Sequence, residues 1–398
     1  MDKINDQKNI CENANSSVVS DGVFNLHLGD SLEVLKNPES NSIDAVVTDP
    51  PYGLSKQPDM GEVLKQWMET GEYNHSAKGF MEKDWDAFVP SPNLWKEVYR
   101  VLKPGGHVLA FFGTRTYDLG VLALRIAGFE IRDQIAWVYG TGFPKSRNIA
   151  ADLEEKFSPE ASQNWQGWGT SLKPAMEPIV MARKPLSEAS VASNIMSHGV
   201  GAINVHGCSI RTPVVKTNED AQGDLFFKPK PCQDTRRKPA NLIHDGSDDV
   251  VSLFPQTGSK KRSSKHLNSV SIETSAARFF YSAKCSKKDR SEGLEGREAK
   301  QYSHDGRSTE IENPFQRNKS VALNHHPTVK PTELMRYLVR LVTPENGVVL
   351  DPFMGSGSTG KAAMLEGKAF IGIELQDDYY EIAKARISHA TTLVDRAA

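Results

Sequence analysis

The chain has 398 residues, is 38% hydrophobic and 25% charged, and carries a formal net charge of -2. At roughly 150 residues per domain, that length suggests two domains or one enlarged by an insertion. Lys+Arg 48 against Asp+Glu 50 excludes a surface that is basic throughout, though not a local basic patch. No run of about 18 apolar residues is present to span a membrane, and the polar opening MDKINDQKNICENANSS lacks the apolar core of a secretory signal. Cys11, Cys208, Cys232 and Cys285 form no C-x-x-C pair, which points to a reduced, cytoplasmic protein with no metal site or disulfide frame. His206 and Cys208 could be two ligands, but no partner pair accompanies them.

Residues 1–22 read as a flexible N-terminus. VFNLHLGD (23–30) reads as a strand, and IDAVVTDPP (43–51) as a second, stopped by two prolines. LWKEVYRVL (94–102) has helical spacing and ends at Lys103-Pro104-Gly105-Gly106. HVLAFFG (107–113) is a strand, YDLGVLALRIAG (117–128) a helix, and FEIRDQIAWVYG (129–140) and EPIVMARKP (177–185) further strands. Residues 186–325 are polar and rich in loop formers, and read as an insertion of short elements. The pattern resumes with the amphipathic helix ELMRYLVRLV (333–342), the strand GVVLDPF (347–353), a turn and helix over 356–367, the strand KAFIGIEL (368–375) and a last helix over 377–390. Such alternation predicts an α/β fold with a mostly parallel sheet covered on both faces. The expected division is 23–185, an inserted 186–325, and 326–398.

The segment VVLDPFMGSGSTG (348–360) sets Gly355, Gly357 and Gly360 between a strand and a helix. Glycines there let backbone approach a ligand, and the helix start offers free N–H groups. Glu374 ends the next strand, where a carboxylate can accept from two ribose hydroxyls. The segment therefore reads as a nucleoside-binding half-site. A dinucleotide fold needs several more βα units after such a turn, and the chain ends at residue 398, too soon to supply them.

Asp49-Pro50-Pro51-Tyr52 closes the strand IDAVVT. The prolines fix the backbone and remove two donors, so the surface is rich in acceptors. Asp49 and the Pro50 carbonyl suit the hydrogens of an exocyclic amine, and the Tyr52 ring suits the face of the heterocycle that bears it. Two acceptors on such an amine favour a pyramidal nitrogen with a localised lone pair, which can attack a sulfonium methyl in line.

Together these residues resemble the DNA amino-methyltransferases that use S-adenosylmethionine. D-P-P-Y (49–52) matches that family's catalytic tetrad, D-P-F-M-G-S-G (351–357) its cofactor motif, and HPTVKP (326–331) a third motif, in the permuted order of the subgroup called β. The resemblance covers about 23–185 and 326–390. It implies a doubly wound, Rossmann-like methyltransferase sheet with circularly permuted motifs, and an inserted target-recognition region over 186–325. It assigns Asp49, Pro50, Pro51 and Tyr52 to the target base, and Asp351, Phe353, Gly355 and Gly357 to the cofactor pocket. Glu374 goes to the ribose, Thr328 and Lys330 to the amino-acid end of the cofactor, and Asp30 to its adenine. The expected reaction is methylation of adenine N6 in a site-specific manner, with cytosine N4 as the alternative. RNA, a protein glutamine amide, or a non-catalytic DNA-binding subunit are the readings further off. The implied partners are double-stranded DNA, a second copy in a homodimer and a cognate restriction endonuclease.

An amine inside a base pair must swing out to reach this pocket, at a cost of a few kcal/mol. Phosphate contacts have to offset that cost. Nine Lys/Arg against two acids between Phe254 and Arg290, including Lys260, Lys261, Arg262 and Lys265, predict a phosphate-tracking stripe. Arg236 and Arg237 with Lys238 form a smaller cluster, and Lys145 and Arg147 lie near the catalytic side. Pro231-Cys232-Gln233 resembles the nucleophile of cytosine C5 enzymes but lacks the preceding buried strand.

Overall fold

The computed structural model describes residues 18–20, 22–53, 57–75, 84–140, 142, 146–211, 236–256, 275–283, 287–302 and 320–395. Its strands in chain order are β1 (Val18–Ser20), β2 (Phe24–Leu28), β3 (Ile43–Thr48), β4 (Leu102–Phe111), β5 (Glu130–Val138), β6 (Met176–Arg183), β7 (Ile210–Arg211), β8 (Arg236–Arg237), β9 (Leu242–His244), β10 (Tyr281–Ser282), β11 (Lys300–Tyr302), β12 (Ser320–Ala322), β13 (Val348–Asp351) and β14 (Ala369–Glu374). Ten of them form one sheet in the order β1-β2-β14-β13-β3-β4-β6-β5-β9-β10. Within it, β6 runs antiparallel to β4 and β5, β1 runs antiparallel to β2, and the other neighbours are parallel.

The apolar runs bury both faces, as parallel strands between helices must. Along β3, Ala45 and Val47 join Leu109 and Phe111 of β4 in a core layer with Leu334 and Leu338, Ala362 and Ala363, and Tyr380 and Ile387. Those partners lie on the helices Thr332–Val342, Ser358–Leu365 and Asp377–Asp395. Val46, Val108, Leu350 and Ile373 face the other way, against Trp95 and Val98 of the helix Pro92–Val101 and Leu119 and Ala123 of Tyr117–Ile126. Period-2 alternation thus gives each strand one side chain per helical layer, which is the doubly wound arrangement.

The chain crosses back over most of its length to set β13 beside β3, with Val349 opposite Ala45 and Leu350 opposite Val46. That pairing is the one the permuted motif order requires. The Asp44 carboxylate fastens it, accepting from Val348 N–H at 2.8 Å and from Lys103 Nζ at 2.5 Å. Strand β4 starts earlier than His107. Ile43 pairs with Leu102 and Ala45 with His107, so Lys103-Pro104-Gly105-Gly106 bulges within the strand. Two strands from 186–325, β9 and β10, extend the sheet beside β5, while β7–β8 and β11–β12 are separate two-stranded ribbons. Among the described residues no helix is long and apolar enough to cross a membrane.

Candidate active site

Asp49-Pro50-Pro51-Tyr52 leaves the carboxyl end of β3, and its turn is held from three sides. The Asp86 carboxylate accepts the N–H groups of Tyr52 at 2.8 Å and Gly53 at 3.1 Å. Thr116 Oγ1 donates to the Tyr52 carbonyl at 2.6 Å. Gly53 has φ +63, and a Cβ there would lie 2.9 Å from the Val89 nitrogen, so only glycine closes the turn.

Around that turn four polar side chains converge. Asp49 Oδ2 accepts from Lys330 Nζ at 2.6 Å, and Asp49 Oδ1 lies 2.9 Å from the Tyr52 hydroxyl. The same hydroxyl lies 2.8 Å from Glu177 Oε2, which in turn is 3.2 Å from Lys330 Nζ. Burial, with the nearby Glu177 carboxylate adding to it, holds the Tyr139 hydroxyl well above the ordinary phenol range. The Lys330 ammonium also sits 5.0 Å from the centre of the Phe111 ring and 5.4 Å from that of Tyr52. Burial pushes the Asp49 carboxyl up, and the Lys330 charge opposes it. Burial pulls Lys330 down, but Asp49 and Glu177 outweigh this, so the ammonium stays charged. Tyr52 is raised well above the ordinary phenol range by burial and by its two carboxylates, so it stands as a neutral donor.

The glycine turn sits at the end of the adjacent strand. Asp351 is buried and binds the two halves together. Its Oδ1 accepts from Thr48 Oγ1 at 2.7 Å and from Phe353 N–H at 3.0 Å, and its Oδ2 from Thr359 Oγ1 at 2.5 Å. Burial raises its carboxyl to about 6. Gly355 has φ +51, and a Cβ there would stand 2.8 Å from His326 Nε2. Gly357 has φ +77, and its Cβ would meet Ala383 at 2.9 Å. Gly360 serves packing instead, since a Cβ would stand 2.4 Å from Ile387. Glu374 accepts from Gly355 N–H at 2.9 Å and from Gln376 N–H at 2.8 Å, and burial lifts it to about 7. His326 is neutral, pushed down to about 3 by burial and by the cations around it.

A glycine-lined ledge and a carboxylate cluster thus stand on the ends of the neighbouring strands β13 and β3. The sequence model of the DNA methylase family, the N6/N4 amino-methyltransferases, matches residues 43–385. The chain belongs to the DNA methylase family. This methylase is 24% identical over 384 residues to the type II methyltransferase M.HindIII of Haemophilus influenzae, covering 91% of this chain and 94% of that one. It is similar to the putative methylase YubD of Escherichia coli K12, at 45% identity over 64 residues, which is 16% of this chain and 28% of the other. Among solved structures it resembles the cytosine-N4-specific PvuII DNA methyltransferase, with a TM-score of 0.47 and 15% identity over 94% of this chain and 92% of that one.

Within the methylase, the residues expected on the cofactor side have these partners in the protein itself. Lys330 Nζ donates to Asp49 Oδ2 at 2.6 Å, while His326 of the same HPTVKP segment lies against Gly355. Thr328 contributes its N–H to His326 Nδ1 at 3.3 Å. Asp30 caps the helix Ser31–Val34, accepting from Leu32 and Glu33 N–H at 2.9 and 3.2 Å. It remains next to the ledge, since Gly29 N–H bonds the Glu374 carbonyl at 2.9 Å.

The basic stripe is only partly available to DNA. Arg290 donates to the carbonyls of Asn324 and His326 at 3.1 and 2.6 Å, and Arg278 to that of Ser275 at 2.8 Å. Both guanidiniums are held by the protein's own backbone, which their sequence positions did not reveal. Arg147 pairs with Asp152 at 2.9 Å, and Arg236 lies 2.9 Å from His206 Nε2, next to Arg237 on β8. Lys145, Lys260, Lys261, Arg262, Lys265 and Cys232 lie outside the described residues. Cys208 is buried, with its thiol pushed up to about 12 by burial. Glu177, Tyr139 and Asp86 escaped the sequence reading. The one signal for Glu177 was an acid opening the otherwise apolar strand EPIVMA.

Proposed function

We propose that this methylase moves a methyl group from S-adenosylmethionine to N6 of an adenine swung out of double-stranded DNA. The observation that carries it is the Thr48–Asp351 bond at 2.7 Å, which locks the Asp49 turn and the glycine turn onto neighbouring strands. Asp49 and the Pro50 carbonyl would accept the amine's hydrogens while Tyr52 stacks on the base. Gly355 and Gly357, which have no room for a Cβ, would let backbone approach the donor, with Asp351 and Phe353 lining its pocket and Glu374 taking its ribose. When bound, the donor supplies an electrophilic sulfonium methyl. Aspartate at the head of the tetrad favours adenine by its resemblance to the adenine-specific members. Residues 186–325 would read the DNA sequence, a homodimer and a restriction endonuclease are the proposed protein partners, and the cytoplasm the proposed location. Duplex DNA incubated with labelled donor should gain label on adenine N6. Sequencing that finds cytosine N4 instead would replace adenine in this reading, and label on RNA or protein alone would overturn it.

Donor affinity should depend on pH. Glu374 is held at about 7 against an ordinary 4.5, so it becomes neutral as pH falls through 7. A protonated carboxyl loses acceptor capacity toward ribose hydroxyls, so acid weakens binding. Calorimetry with S-adenosylhomocysteine should give about tenfold weaker binding at pH 6 than at pH 8, and Glu374→Gln should flatten that difference.

DNA affinity should fall steeply with salt. If Lys260, Lys261 and Arg262 each hold a phosphate, reversing them should reduce the log–log salt slope by about 0.9 per contact. An unchanged slope would put the DNA elsewhere.

A further inference from the structure

The carboxylate cluster has one hydrogen too few. The Tyr52 hydroxyl stands 2.9 Å from Asp49 Oδ1 and 2.8 Å from Glu177 Oε2, yet carries a single proton for two acceptors. With both acids ionised, only one of these contacts is a hydrogen bond. Adding one proton to either acid makes both contacts hydrogen bonds. The charges agree: Asp49 and Glu177 against Lys330 leave the half-buried cluster one negative charge in excess, and Tyr52 and Tyr139 are neutral phenols. Methylating an amine releases one proton.

We propose that Glu177 is the terminal acceptor of that proton, delivered from Asp49 through the Tyr52 hydroxyl. The inference rests on the amino-methyltransferase reading and extends it to a residue that no motif assigns. The amine lone pair forms the N–C bond, and the C–S bonding pair stays on sulfur. The cationic nitrogen then gives its N–H proton to Asp49. Asp49 passes a proton to the Tyr52 oxygen as the Tyr52 hydrogen moves to Glu177 Oε2. Asp49 returns to the carboxylate form next to Lys330 Nζ, 2.6 Å away, and the buried ammonium keeps its counter-charge. Glu177 Oε2 also lies 3.2 Å from Lys330 Nζ, which keeps the receiving carboxyl beside the same cation.

Two near-isosteric variants test the relay in the full chain. Glu177→Gln keeps an acceptor for Tyr52 but cannot take the proton, and Tyr52→Phe keeps the ring but cuts the path. Each should slow single-turnover methyl transfer at pH 7 by about 10²-fold. The double variant should be no slower than the slower single one, since both break one route. Binding of a duplex with 2-aminopurine at the target position, followed by its fluorescence, should stay within about twofold of wild type. The Glu177→Gln rate should keep climbing between pH 7 and 9, as hydroxide replaces the carboxylate, while wild type levels off. A Glu177→Gln rate within threefold of wild type overturns the relay. So does a loss of aminopurine binding matching the loss of rate, which would mark a structural role. A wild-type chain that labels no DNA removes the amino-methyltransferase reading and the relay together. Label on cytosine N4 with the predicted variant pattern supports the relay, because that amine releases the same proton.

Discussion

Replacing Asp49 by alanine is expected to slow methyl transfer by at least about 10²–10³-fold, the usual loss when a preorganised electrostatic partner is removed from the reacting atom. On the proposed reading the carboxylate would hold one of the amine's hydrogens and receive its proton, and the Pro50 carbonyl that is left can accept a hydrogen bond but cannot take a proton. The fold should survive. Lys330 keeps Glu177 at 3.2 Å, and the turn keeps its Asp86 and Thr116 bonds. DNA affinity should change little, because phosphates dominate it. Unaltered single-turnover rates in Asp49→Ala would displace the tetrad from the chemistry.

The largest loss of stability is expected from Lys361→Met. Lys361 is 1% exposed, and its ammonium lies 2.7 Å from Asp289 Oδ1 and 2.8 Å from Glu292 Oε2. Asp289 also accepts the N–H and hydroxyl of Thr332, so this cluster docks the short helix Lys287–Ser291 onto the glycine-turn helix and the HPTVKP segment. Methionine fills the space but leaves two carboxylates facing each other, at a cost of about 3–5 kcal/mol. Chemical denaturation would measure it. Adding Asp289→Asn and Glu292→Gln should restore most of the loss, whereas a cost below about 1 kcal/mol would refute the buried-pair account. The sign against pH is set by Asp289. Burial raises its carboxyl, but the bonds from Lys361 and Thr332 outweigh this and hold it below the usual 3.8. Its contribution is therefore full above that value, is lost as pH falls through the folded one, and should shrink in Lys361→Met.

Buried Arg386 works in the same region. Its guanidinium donates to the Ser356 carbonyl at 2.5 Å and to the Ser356 and Ser358 hydroxyls at 3.1 and 3.4 Å. The glycine ledge is thus shaped by the C-terminal helix as well as by its own backbone. A loop with two left-handed residues needs such external bonds to hold one conformation.

What the sequence determined by itself was local. Apolar runs closed by D-P-P-Y and by D-P-F-M-G-S-G, and helices with apolar residues every three or four positions, fixed the strands, the layers and two turns with chemical character. Their motif order also implied that β13 pairs with β3. The strand, helix and turn signals each lie within about a dozen residues, where backbone sterics and side-chain period act directly, whereas the motif order spans the chain and speaks through family resemblance. Tertiary structure decided who meets whom at the strand ends. It put Lys330 on Asp49, brought Glu177 to Tyr52 from the one antiparallel strand flanked on both sides, and turned Arg278 and Arg290 inward to backbone carbonyls. Those partners are separated along the chain by distances that carry no periodic signal. They are chosen by strand order, and by the rule that a polar group taken out of water must find its complement wherever the fold has left one.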